Sequence, residues 1–161
     1  MQLTGPDVDD YAGDIAELLE RYGVALTSPA PRAAVEVLEA ADSSLSFELA
    51  GSLPDGRAPA RSRLVVREHF RRVANDRFER DRYEYELVDR ERSFRRAFHL
   101  HDPEWFQRYL VLVHEHCEQP LGTATCAHHH GTPIRDGFAG VLALMDAWTG
   151  DPTCVGLRCL D

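Results

Sequence analysis

The chain has no lysine: all 18 of its basic side chains are arginine. A GC-rich genome produces that bias without selection for function. Also missing is any apolar run near the roughly 20 residues that would span a bilayer. The opening MQLTGPDVDDYAG is acidic and lacks the apolar core of a secretory signal. A cytoplasmic protein with no membrane partner is therefore expected. Four cysteines in 161 residues are too sparse for a disulfide scaffold, so thiols or ligands are expected. There is no GxGxxG, P-loop, G-x-S-x-G, H-E-x-x-H or C-x₂-C, which leaves nucleotide-cofactor, serine-hydrolase and ordinary zinc signatures without a foothold.

What is present is concentrated. Residues 98–131 hold seven of the eight histidines and two of the four cysteines. His99/His101 and His114/His116 are His-x-His pairs, and Cys126 to His130 reads Cys-Ala-His-His-His. Imidazole has a near-neutral pKa and two usable ring nitrogens, so this crowding points to a metal or to acid/base work. Charge is uneven as well. Residues 57–96 carry thirteen Arg against eight acids, a net of +5, inside a chain of net −9. Such a strip could face RNA or DNA; its alternating signs fit a charge-laced solvent face equally well.

Periodicity gives an α+β fold in one domain. Val8, Tyr11, Ile15, Leu18, Leu19 and Tyr22 predict a helix over 7–23, with Thr4 and Asp7 as a capping box and Gly23 as its stop. A second helix is predicted near 32–41, making residues 1–42 a helical N-terminal extension. From 43 to 117 the period changes to two, predicting an antiparallel meander of about five or six strands with a hairpin at 74–76. Tyr83 and Tyr85 fall on its core face, although beside arginines they could also stack on bases. DPEWF reads as a one-turn helical connection, and RYLVLVHEHC as a central strand. A turn centred near Glu104–Trp105 sets His99 opposite Leu110, not His114. The Cys126–His130 segment reads as a loop that must fold back to complete any site. A C-terminal helix, within 132–150, packs its Ile134, Phe138, Val141, Leu142, Met145 and Trp148 stripe on the sheet.

Two chemistries fit. Two imidazoles and an arginine can cleave RNA: one histidine takes the 2′-hydroxyl proton, another protonates the leaving oxygen, and arginine stabilises the phosphorane. The candidates are His99, His101, His114 and His116, with Arg95, Arg96 and Arg135 binding phosphate. Alternatively, His114, His116, Cys126 and His128 could hold zinc in a non-catalytic binding or interaction domain. Composition and spacing leave open whether the chain is an enzyme.

The run ARSRLVVREHF, then RFERDRYEYELVDRERSFRRAF, then a His-x-His after the last strand, resembles the small TumE-type proteins of bacterial toxin–antitoxin loci. The matching stretches are Leu64–Phe70, Tyr83–Asp89, Arg95–Phe98 and His114–His116, within residues 60–117. Where that family has an Asp-Asn turn, this chain has His-Leu-His-Asp. The resemblance implies a small cytoplasmic antiparallel sheet with a C-terminal helix. It also implies a toxin acting on nucleic acid or translation, and a cognate antitoxin as partner.

Overall fold

The computed structural model describes residues 1–28, 37–54, 61–100, 110–123 and 128–160. In chain order its elements are β1 (Gln2–Leu3), α1 (Gly5–Arg21), β2 (Ala25–Ser28), β3 (Leu38–Glu39), β4 (Leu45–Ser52), β5 (Ser62–Ala74), β6 (Arg77–Asp89), β7 (Phe94–Leu100), β8 (Val113–Glu118), β9 (His128–His130) and α2 (Gly137–Thr149). The strands form one antiparallel sheet in the order β2-β4-β5-β6-β7-β8-β9, with β1 beside β6 and β3 beside β4. The fold is α+β, with both helices on one face of the sheet.

Local chemistry accounts for most element ends. Thr4 accepts from the Asp7 N–H while Asp7 accepts from the Thr4 N–H, the reciprocal capping predicted for α1. Gly23 follows the helix at φ +79°, a conformation glycine adopts without a Cβ clash. Asp136 caps α2 by accepting from the Ala139 N–H at 2.9 Å. The β5–β6 hairpin turns at Asn75–Asp76, where Asp76 takes φ +49°, a conformation asparagine and aspartate tolerate best among residues with a Cβ.

The core lies between the helices and one sheet face. Val8, Tyr11, Ala12, Ile15 and Leu19 of α1 meet Val141, Leu144 and Met145 of α2 above Phe47, Leu64, Val66, Phe70, Tyr85 and Leu87. Tyr83 and Tyr85 are buried and stacked on each other. They are core residues, not a platform for bases.

A buried polar cluster fixes α2 on the sheet. Glu68 Oε1 accepts from Tyr11 Oη at 3.1 Å, from Arg80 Nη1 at 2.9 Å and from Tyr85 Oη. Arg80 Nη2 donates to the carbonyls of Ile134 and Arg135 at 2.5 and 2.7 Å, and Gly137 N–H donates to Tyr11 Oη at 2.5 Å. Together these satisfy backbone groups just ahead of and at the start of α2, where helix geometry supplies no partners.

Three expectations need correction. Within the helix predicted near 32–41, Leu38 and Glu39 are a strand paired with Ser46 and Leu45; Leu38 is 56% exposed, while Val37 packs against the core. The rest of that helix through 36, like DPEWF, lies outside the described residues. The central strand begins later than expected, at Val113: Leu110 stands at φ +57° and 76% exposed. Finally, Cys117 is bonded to Cys154, tying β8 to the segment after α2, and Cys159 is also disulfide-bonded. They are not the thiols or ligands expected.

Candidate active site on the sheet face turned away from the helices

Neighbouring side chains on a strand point to opposite faces, and directly paired residues on adjacent strands share a face. The β7–β8 register pairs His99 with His114, Ala97 with His116 and Arg95 with Glu118. The β8–β9 register pairs His116 with His128 and His114 with His130. Five histidines from three strands therefore share the face that the helices leave uncovered. His99 and His114 stack with ring centroids 4.8 Å apart. His128 lies 5.2 Å from His114 and 4.6 Å from His116.

This overturns the expected pairing of His99 with Leu110. Because β8 starts at Val113, the connection from β7 is longer than a turn at Glu104–Trp105 allows. The two His-x-His stretches then fall opposite each other. The loop expected at Cys126–His130 is also revised, since His128–His130 is a strand. It is short, and the chain end braces it: His130 N–H donates to the Arg158 carbonyl and Leu160 N–H to the His128 carbonyl, both at 2.9 Å.

His116 stands between a carboxylate and a guanidinium. Its Nε2 lies 2.6 Å from Glu118 Oε1 and 3.2 Å from Arg95 Nη1. Protonated there, the ring donates to Glu118; deprotonated there, it accepts from Arg95. It has a partner in either state, as a group that exchanges protons requires. Burial lowers the His116 pKa, and the Arg95 charge lowers it further. His128 is lowered by the same two causes. Burial alone would raise Glu118, but the Gly122 N–H, His116 and Arg95 outweigh it and hold the carboxyl below its usual range. Arg95 is itself oriented by Glu86, at 2.6 Å from its Nε.

The other predicted residues separate. Arg96 follows Arg95 and so faces the helix side, paired with Glu115. Arg135 is 86% exposed beside Asp136, just ahead of α2. Neither Arg96 nor Arg135 shares the face that carries Arg95. His101 and Cys126 lie outside the described residues. Of the expected zinc set, His114, His116 and His128 do gather. Among the described residues, however, no three His, Cys, Asp or Glu side chains are grouped to hold a metal ion.

Part of the arginine strip is paired with carboxylates. Arg67 bridges Glu48 and Glu84, Arg71 meets Glu79, Arg80 meets Glu68, and Arg92 meets Asp89. The alternating signs in the sequence were the signal of this cross-strand pairing. What sequence reasoning missed was Glu86 and Glu118. Their signal was period two: Glu118 stands two residues after His116, on the same face.

No family model, curated protein or solved structure matches this chain. Among the described residues no helix is long and apolar enough to cross a membrane.

Proposed function

We propose that the protein cleaves RNA by metal-independent acid/base catalysis on this face. The observation that carries the reading is the cross-strand gathering of His99, His114, His116 and His128 beside Arg95. His116, aligned by Glu118, takes the 2′-hydroxyl proton. His128, 4.6 Å away between ring centroids, protonates the leaving 5′-oxygen. Arg95 stabilises the negative charge that develops on the phosphorane. Each proton-transfer group contributes roughly 10²–10⁴ in rate. The resemblance to TumE-type proteins adds a toxin role and a cognate antitoxin that would cover the same face. The Cys117–Cys154 bond suits an oxidising compartment better than the cytoplasm, and the bridged form is the one we take to be active.

The test is cleavage of a single-stranded RNA by purified, oxidised protein in excess chelator. Activity that falls at least a hundredfold in His116→Ala and in His128→Ala, with unchanged melting temperature, supports the reading. Intact RNA after incubation with the wild-type protein removes it.

A further inference from the structure

A cavity of about 460 Å³ lies on the same sheet face, next to the histidines. Two cross-strand rows form its floor. Ser46, His69 and Arg82 pair directly across β4, β5 and β6; Glu48, Arg67, Glu84 and His99 pair directly across β4 to β7. His99 belongs to both places, since it lines the cavity and stacks on His114. Leu38, paired with Ser46, adds an exposed apolar side chain at the edge.

The floor is rigid and electrically balanced. Arg67 donates from Nε to Glu48 at 2.6 Å and from Nη1 to Glu84 at 2.7 Å. His69 turns Nδ1 to Asp81 at 2.6 Å, which orients the ring and leaves Nε2 as its remaining hydrogen-bonding atom. Glu48 and Glu84 match the charge of Arg67 and Arg82, so a bare phosphate gains little here. A ligand that fits must bring hydrogen-bond donors for the carboxylates, an anionic end for arginine and imidazole, and a planar or apolar part for Leu38. The volume lies within the roughly 300–1,000 Å³ of small-molecule sites.

We propose that this cavity seats one nucleotide unit of the RNA strand and so sets the position of cleavage. The proposal rests on the catalytic reading above and deepens it. The base donates from its ring N–H or exocyclic amino group to Glu48 and Glu84, Leu38 covers the base, and Arg82 takes an oxygen of the 5′-phosphate. The 3′-phosphate then leaves the cavity past His99, toward His116 and Arg95.

The experiment is calorimetric titration of the full chain with uridine 3′,5′-bisphosphate and adenosine 3′,5′-bisphosphate, with inorganic phosphate for comparison. At least one nucleotide should bind, and phosphate alone at least tenfold more weakly. Arg82→Ala should weaken nucleotide binding about tenfold. Ser46→Phe, which fills the cavity while keeping its charges, should abolish it, and Arg82→Ala decides alone if that variant does not fold. His128→Ala should lose RNA cleavage and bind the nucleotide within twofold of wild type. Failure of both nucleotides to bind, or binding indifferent to Arg82→Ala, overturns the cavity assignment whether or not RNA is cleaved. Nucleotide binding by a wild-type protein that leaves RNA intact keeps the cavity and removes the catalytic reading.

Discussion

At the scale of single residues, two environments dominate, and they behave oppositely. Around His116 and His128, burial and Arg95 favour the neutral ring. A lowered histidine pKa means that the proton leaves at lower pH than the free value of about 6.5. Catalysis with one of these rings protonated and the other not has its optimum between their two pKa values. The pH–rate profile for RNA cleavage should therefore peak below about pH 6.5, and Arg95→Gln should move the peak upward. The same shift acts on stability with a definite sign. These rings bind protons less readily folded than unfolded, so their contribution is complete above about pH 6.5 and is lost as the pH falls below it. The other environment is Glu68 with Arg80, whose side chains are 0% and 6% exposed. Removing one member leaves the other's charge buried without its partner. Urea unfolding of Arg80→Ala should show a loss of about 3–5 kcal/mol. A change below 1 kcal/mol would mean that the pair contributes little to holding α2.

At the scale of elements, the vulnerable piece is β9. Three residues long, it carries His128 and His130 between β8 and the chain end. The Cys117–Cys154 bond holds the segment after α2 against β8, and that segment runs on into the residues pairing with β9. A disulfide closing such a loop stabilises by about 2–4 kcal/mol. The double variant Cys117→Ser/Cys154→Ser should melt at lower temperature by a matching amount. Its RNA cleavage should fall further than the stability loss explains at temperatures where it remains folded, because β9 loses its brace. Equal activity in bridged and unbridged protein would show that β9 keeps its position without this bond. Helix α1 and the β5–β6 hairpin were legible in the sequence because their signals are local: a capping box, a glycine stop, an Asn-Asp turn, a period of two. The strand at Leu38–Glu39 was not legible. Two residues of edge strand have no period, and their pairing partner begins six residues further on.

At the scale of the whole molecule, net charge and local pairing set how a polyanion is met. The chain carries −9, and Arg67, Arg71, Arg80, Arg95 and Arg96 of the basic strip are bridged to carboxylates on the sheet. A protein that neutralised many phosphates would lose affinity steeply with salt. Here the opposite is expected: kcat/KM for RNA should hold or rise modestly between about 10 and 150 mM salt, as screening reduces overall repulsion. A steep fall would reveal an arginine surface that the pairing does not neutralise. The sequence by itself determined the α+β class, the core face of the sheet, the caps of α1 and the list of histidines, because each follows from residue type and short-range period. Only the tertiary structure decided that His99 stands opposite His114 and that His128 joins from a strand. Only it closed Cys117 onto Cys154. The physical reason is that strand register depends on where a long connection ends. A shift of one residue along the partner strand would exchange which side chains share a face, and nothing within either strand fixes that shift.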